Sequence, residues 1–361
     1  MRQNYTEQPF PTFVVGSLPR PQWVRDIVEE RKQGRLTHRE ADHLLDPAIS
    51  FAVRLQERAG LDFVSDGEWR RESYVKVFTE AVDGFKLDAF PRAGRPSPPN
   101  PAVVEPIRQR RPIALDAAVA LHASTSRKSI VALPSPYIMG VRMWRQDLSA
   151  RAYPTREAFM EACAPLVRDE IGRLFAAGID HVQIDDPELA MLVDPENRAA
   201  QGIKDLDAAL GLAVRMINLA VAGHGGKPVS LHVCHAHFAR NRSTRGGYEP
   251  VMEALADIRV QRVAMEFAAP ESQGVASLRL FPKDKILGLG VIDHCDRAIE
   301  TPEQVVRRAE AAFEFVPPER VTLNPDCGFS PGMQNPMDLD EAYGKLKAMC
   351  QGADLLRERH R

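Results

Sequence analysis

The 361-residue sequence predicts an α/β protein of the (β/α)8, TIM-barrel class, and three observations predict it. Eight short apolar or β-branched runs recur along the chain. Stretches with helical apolar spacing separate them, and that alternation of β and α is the pattern of a covered parallel sheet. Carboxylates, histidines and cysteines then gather where each run ends, the face on which such barrels carry their sites.

The runs are TFVVGS (12–17), DFVSDGE (62–68), SIVALPSP (129–136), HVQIDDP (181–187), PVSLHVC (228–234), RVAMEF (262–267), ILGLGVID (286–293) and VTLNPDCG (321–328). Several read as continuous apolar stretches rather than alternating ones, as strands covered on both faces do. Among the helices, 156–178 has apolar residues at helical spacing and a glycine near its stop. The stretch 301–316 opens Thr-Pro-Glu, which places a capping residue and a proline at a helix start. Helical sequence also fills 205–224 and 338–352. Chains of this length often divide in two, but α/β barrels routinely exceed ~150 residues as one unit, so a single domain over 1–361 is expected. One region breaks the rhythm. The Pro- and Arg-rich stretch 88–112 falls between the second and third strands and reads as an insertion, either a hairpin or flap at the barrel mouth or a solvated surface loop.

Composition excludes several classes. A formal net charge of -2 gives no electrostatic case for nucleic acid or anionic lipid. The start MRQNYTEQPFPTF has no apolar leader, and no run of ~18 apolar residues suggests a membrane span. Five scattered cysteines are not a disulfide framework, so a reducing cytoplasm is the expected location.

The strand ends carry the chemistry. Ser17 closes the first run, Asp66 and Glu68 the second, Asp185 and Asp186 the fourth, and His232 and Cys234 the fifth. Glu266 closes the sixth, Asp293 and His294 the seventh, and Asp326 and Cys327 the eighth. Buried uncompensated charges cost several kcal/mol each, so either the pocket is wet and functional or the strands are shifted along the sequence. In HVCHAHF (232–238), residues two apart on a strand face one way, so His232 and Cys234 point together, while His235 and His237 fall past the strand end. An imidazole and a thiolate on one face offer half a tetrahedral zinc site. Cys327 could add a second sulfur and Glu266 an oxygen, a donor set that suits Zn²⁺ over Mg²⁺ or Ca²⁺. The competing reading makes Cys234 a small buried hydrophobe.

Taken together, VGS (15–17), DGE (66–68), QIDDP (183–187), HVC (232–234) and LNPDCGF (323–329) resemble, in the same order, the catalytic barrel of cobalamin-independent methionine synthase. The resemblance runs from about 12 to 350 and implies a zinc ion held by His232, Cys234, Glu266 and Cys327. It implies homocysteine as the thiol, its amino-acid end gripped by Ser17, Glu68 and Asp185. The long enzymes of that family carry two barrels; this chain looks like the short, single-barrel branch. That branch includes archaeal-type methionine synthases, for which a corrinoid carrier protein is a candidate methyl source, and epoxyalkane:coenzyme M transferases. The long enzymes have Asp-x-His after strand seven, with the His a proton donor; here Asp293 and His294 are adjacent, and both are catalytic candidates.

The expected activity is thus transfer of an alkyl group, most simply methyl, to a small thiol activated by zinc, with homocysteine as acceptor. The alternative is epoxide opening by coenzyme M. The tail of the thiol separates them: an ammonium wants Glu68 and Asp185, whereas a sulfonate wants arginines, and Arg70, Arg71, Arg142, Arg240, Arg242 and Arg245 follow strand ends. Tyr137 and Trp144 are a candidate platform for the alkyl donor, Cys295 is a substitute ligand, and Cys163 and Cys350 belong to helix packing. A zinc-free uroporphyrinogen decarboxylase-like barrel and a non-catalytic zinc protein are the remaining readings. A homo-oligomer formed through the long arm is a further expectation.

Overall fold

The computed structural model describes residues 8–90, 100–269, 274–330 and 335–360. Its strands are β1 (Phe63–Val64), β2 (Val82–Phe90), β3 (Asn100–Gln109), β4 (Lys128–Pro134), β5 (His181–Asp185), β6 (Val229–Val233), β7 (His237–Phe238), β8 (Asn241–Arg242), β9 (Arg262–Met265), β10 (Ile286–Ile292) and β11 (Val321–Pro325). Seven of them form one parallel sheet in the order β1-β4-β5-β6-β9-β10-β11, and helices surround it. Each neighbour follows the last in sequence, as successive right-handed βα crossovers require.

The sheet has seven strands where eight runs are expected. The first run contributes only a parallel bridge, Thr12 to Leu323. Around it, Phe13 N–H donates to the Leu323 carbonyl at 2.9 Å, and Phe63 N–H donates to the Thr12 carbonyl at 3.1 Å. Residues 11–13 therefore touch both edge strands, β11 and β1, and curl the sheet between them. Beyond Thr12, side chains take the place of a ladder. Gln183 Nε2 donates to the Val15 carbonyl at 2.9 Å, and Ser65 Oγ donates to the Gly16 carbonyl at 2.8 Å.

Strand periodicity explains which residues reach the middle. Outward positions such as Val182, Ile184, Leu231, Val233, Val263 and Leu289 are apolar and buried. Inward positions are polar and satisfy one another. His181 Nε2 lies 2.8 Å from Ser230 Oγ, and Arg262 donates to Thr322 Oγ1 at 2.7 Å and Asn324 Oδ1 at 2.6 Å. The Arg262 guanidinium also sits 4.0 Å from the centre of the Phe13 ring, a cation–π contact in a fully buried place. Gly288 makes room for it, since a β-carbon there would stand 2.6 Å from Arg262 Nη2. This polar floor lies below the strand ends that carry the site.

The helices follow their start signals. Thr301 and Gln304 form a reciprocal capping box ahead of Pro302–Ala312. Thr155, Asp205 and Asp338 cap Arg156–Ala176, Leu206–Val221 and Leu339–Arg359. Among the described residues no helix is long and apolar enough to cross a membrane.

The insertion expected at 88–112 is part of an antiparallel hairpin, β2 paired with β3, that begins at Val82. Its segment 91–99 lies outside the described residues. Phe85 holds the hairpin down between Phe78 and Phe159, at ring distances of 6.1 and 6.0 Å. A second hairpin, β7 with β8, follows β6 directly and has no counterpart in the sequence reading.

Candidate metal centre

The register of the sheet sets the first pair. Asp185 and His232 are Cα partners across β5 and β6, so their side chains meet at the rim. His232 Nδ1 lies 3.2 Å from Asp185 Oδ1, which also accepts from Gln183 Nε2 at 2.9 Å. A carboxylate on one ring nitrogen fixes the tautomer that leaves the other as a lone-pair donor. That other nitrogen, Nε2, is buried and has no hydrogen-bond partner.

Two residues on, Cys234 points the same way, and Cys327 arrives from the end of β11. Their sulfurs are 3.7 Å apart. That is far from the ~2.05 Å of a disulfide. It is close to the about 3.8 Å between two thiolates bound at about 2.3 Å to one tetrahedral zinc. The ligand atoms of His232, Cys234 and Cys327 all lie within 4.8 Å of one another. The cysteine pair shares a proton: the Cys327 S–H bond to Cys234, with the His232 charge, holds the Cys234 thiol well below its ordinary value. Burial opposes charge on His232, but the Cys234 thiolate and Asp185 raise it to about 10. Without a metal the ring thus carries a proton on Nε2 as well, which a bound metal ion would displace, and the same negative field would favour that cation. Orphaned imidazole nitrogen, paired sulfurs and negative field together fit zinc.

Glu266, expected as the fourth ligand, stands outside that triad. It is fully buried and already paired. Its Oε1 meets Arg242 Nε, and its Oε2 accepts the His235 backbone N–H at 3.1 Å. His237 Nε2 comes within 3.2 Å of the same Oε2. His235 Nδ1 lies equally close to it, and a second group of ligand atoms within 4.8 Å joins His237, His294 and Cys327.

The two catalytic candidates separate. His294 lines the cavity and meets the His237 ring edge-on at 4.1 Å. Burial, and next the His237 charge, push the His294 imidazole well below its ordinary range, so it is neutral at neutral pH. Asp293 does not line the cavity; its Oδ1 accepts from Arg242 Nη2 at 3.0 Å and from the Cys295 backbone at 2.8 Å. Cys295 lies outside the triad, with its Sγ 3.7 Å from His294 Nε2.

Ser17, Glu68 and Asp185 line the same cavity of about 300 Å³ as His232, Cys234, His237, His294 and Cys327. Two glycines make this convergence possible. A β-carbon at Gly328 would stand 2.4 Å from Ser17 Oγ, and one at Gly16 would stand 2.7 Å from Glu68 Oε1. Glu68 itself is left-handed, at φ 57°, which turns its side chain inward after the Asp66–Gly67 turn. Its Oε1 lies 3.3 Å from Arg71 Nη1. Burial, with Asp185 and Asp66 adding to it, nevertheless raises the Glu68 carboxyl to about 7.

Of the six arginines that follow strand ends, only Arg142 lines this cavity. It is held by Glu188 at 2.6 Å and lies over the Tyr74 ring at 5.4 Å. Arg70 pairs with Asp46, Arg71 with Glu68, Arg240 with Glu341, and Arg242 with Glu266 and Asp293. Tyr137 and Trp144 do not line it either; the Trp144 indole N–H is spent on the Tyr153 carbonyl at 3.0 Å. Tyr74 and Met143 stand at the wall instead, with Asn100 and Pro101 from the long hairpin. Cys163 and Cys350 are buried on helices, away from the sulfur pair.

A sequence family described as "Cobalamin-independent synthase, Catalytic domain" matches residues 10–354. A methionine synthase of Pyrococcus abyssi is 29% identical over 350 residues, covering 96% of this chain and 93% of that protein. One from Saccharolobus solfataricus is also 29% identical over 350 residues, covering 96% and 95%. The structure of a B12-independent methionine synthase from Shewanella sp. W3-18-1, in complex with selenomethionine, superposes with a TM-score of 0.78 at 22% identity, over 98% of this chain and 99% of that one. That likeness is one of fold.

Proposed function

Because the chain belongs to the cobalamin-independent synthase catalytic-domain family, we propose that it methylates the sulfur of homocysteine to give methionine, at a zinc site made by His232, Cys234 and Cys327. The observation that carries this reading is the sulfur pair at 3.7 Å beside the unpartnered Nε2 of His232. Full-length similarity to proteins named methionine synthase supports the choice of thiol.

A free thiol titrates near ~8.5, so little of it is thiolate at neutral pH. Bound in the triad, zinc would supply the positive charge that keeps a substrate sulfur deprotonated and nucleophilic there. The chain's own residues do the rest. Asp185 holds the His232 ring with Nε2 turned to the sulfurs. Glu68 and Asp185 offer carboxylates to the substrate ammonium, and Ser17 offers a hydroxyl to its carboxylate. His294 lines the cavity and is the candidate relay for the proton the departing donor takes up, its neutral ring first accepting that proton, for example from the substrate thiol. Asp293 acts behind it as a positioning residue, through Arg242 and the turn at Cys295. The same reading treats residues 11–13 as the eighth stave of a (β/α)8 barrel, within one domain that carries the hairpin as an insertion.

The arginine arrangement weighs against coenzyme M. A sulfonate needs an uncommitted cation, and the one strand-end arginine at the cavity already pairs with Glu188. Purified zinc-loaded enzyme should form methionine from homocysteine with methylcobalamin or 5-methyltetrahydrofolate as donor. It should not open epoxypropane with coenzyme M. Epoxide opening without methionine formation would reverse the assignment.

A further inference from the structure

Glu68 reaches the cavity from a strained backbone position, and a buried cation stands behind it. We infer that Arg71 is the positioning residue for the amino-acid end of the site: it fixes the Glu68 side chain toward the substrate ammonium and supplies its counter-charge. This rests on the homocysteine reading above and specifies how that thiol is told from one without an amino group.

Arg71 is 2% exposed and does not itself line the cavity. β1 pairs with β4 only as far as Val64 and Ser129. Beyond that pair, Arg71 Nη1 donates to the Ala132 carbonyl of β4 at 2.8 Å. The same nitrogen donates to Glu68 Oε1 at 3.3 Å. Gly16 abuts that oxygen too, since a β-carbon there would stand 2.7 Å from it. The carboxylate thus packs on a bare glycine and on a guanidinium anchored to the sheet.

The backbone of Glu68 is held as closely. Its N–H donates to Asp66 Oδ1 at 3.2 Å, and its carbonyl accepts from the Arg71 N–H at 3.1 Å and from Arg20 Nη2 at 2.9 Å. These bonds sustain its left-handed φ of 57°. Arg71 Nε and Nη2, by contrast, are buried without a hydrogen-bond partner. A buried arginine kept for stability alone would spend its whole fork on acceptors, because unpaired buried donors cost free energy. Here the fork is only partly spent, and what the group delivers is charge beside Glu68.

The charged groups facing Glu68 are Arg71, Asp185, Asp66 and Arg20, and Arg71 also faces Glu80. Burial pushes the Glu68 carboxyl up to about 7; Arg71 is the strongest influence against it, while Asp185 and Asp66 add to it. Without Arg71, Glu68 would be protonated across the neutral range and lose its attraction for an ammonium. A thiol with no amino group would be little affected.

The test is kcat/KM against pH for homocysteine and for 4-mercaptobutyrate, on full-length enzyme whose zinc content is measured in each preparation. Removing an opposite charge at this distance moves a carboxyl by about 1–3 pH units, so Arg71→Met should shift the acid limb for homocysteine upward by about one unit or more and lower kcat/KM at pH 7 at least about 5-fold. Zinc should stay bound, and 4-mercaptobutyrate should be nearly indifferent. In a Glu68→Gln background the same substitution should move no limb. Arg71→Lys should keep the limb near pH 7 but raise KM for homocysteine several-fold, because an ammonium lacks the reach and fork that hold Ala132 and Glu68 together. Equal losses on both thiols, with the limb unmoved, would mark Arg71 as structural and overturn the inference. Where Arg71→Met fails to fold, the ratio of the two thiols in Arg71→Lys decides in the same way. A wild-type enzyme that does not prefer homocysteine to 4-mercaptobutyrate overturns the homocysteine reading as well, before any variant is compared.

Discussion

Replacing Cys327 with Ser is expected to strip stoichiometric zinc from the protein and to lower kcat/KM for homocysteine by at least about 100-fold, more than the ~10–100-fold typical of losing an outer partner. The physical reason is the loss of one of two soft donors. The Cys327 sulfur stands 3.7 Å from that of Cys234 and shares a proton with it. A serine hydroxyl stays protonated at neutral pH and is a hard donor, so the pocket loses both charge and affinity. Cys234→Ser should behave the same way. Cys163→Ala is the control, because that thiol is buried on the helix Arg156–Ala176. Metal content by elemental analysis and kcat/KM should fall together in the two site variants only. A Cys327→Ser protein that keeps its zinc and its rate would remove the sulfur pair from the mechanism.

Glu68→Gln should separate recognition of the amino acid from activation of its sulfur. A charge-assisted contact to an ammonium is worth about 1.5–3 kcal/mol, so KM for homocysteine should rise roughly 10–100-fold with a smaller change in kcat. The deamino analogue 4-mercaptobutyrate should be nearly indifferent to the substitution. The pH dependence has a definite sign. Burial raises the Glu68 carboxyl from its ordinary 4.5 to about 7, so below about 7 it is protonated and offers the ammonium no charge. Wild-type kcat/KM should therefore fall as pH drops through that region, and the limb should flatten in Glu68→Gln. The stability effect runs the other way. A carboxyl raised by folding favours the folded state below its unfolded value, and that contribution is lost as pH rises through the folded value. Removing the ionisable group should then stabilise the protein above pH 7, by roughly 1–3 kcal/mol. Gain of stability with loss of substrate affinity is the trade expected of a charge buried for function. An unchanged KM ratio between homocysteine and its deamino analogue would count against the assignment.

Much of this was legible because periodicity fixes direction. A strand period of two is enough to put His232 and Cys234 on one face, and the register of β5 with β6 sets Asp185 beside them. Seven of the eight short runs became strands of the one parallel sheet, while the polar inward positions of β5 and β6 show an alternation that the continuous-run reading passed over. The first run was harder. Its carbonyls at Val15 and Gly16 are taken by Gln183 and Ser65, residues far off in sequence, which leaves a bridge where a strand was expected. His237 was missed for a related reason. Three left-handed residues without a glycine among them bend the chain back, and no residue type announces such a turn. The engagement of Glu266 with Arg242 depends on that same bend. Tyr74 reached the cavity unannounced, whereas most of the strand-end arginines turned to partners of their own.

The most direct measurement is zinc K-edge absorption on the wild-type protein before and after adding homocysteine. The account predicts about one zinc per chain, held by two sulfurs, with a third sulfur scatterer once homocysteine is bound and none with coenzyme M. Full methyl-transfer activity in a zinc-free preparation, or a sulfur count that homocysteine leaves at two, would contradict it.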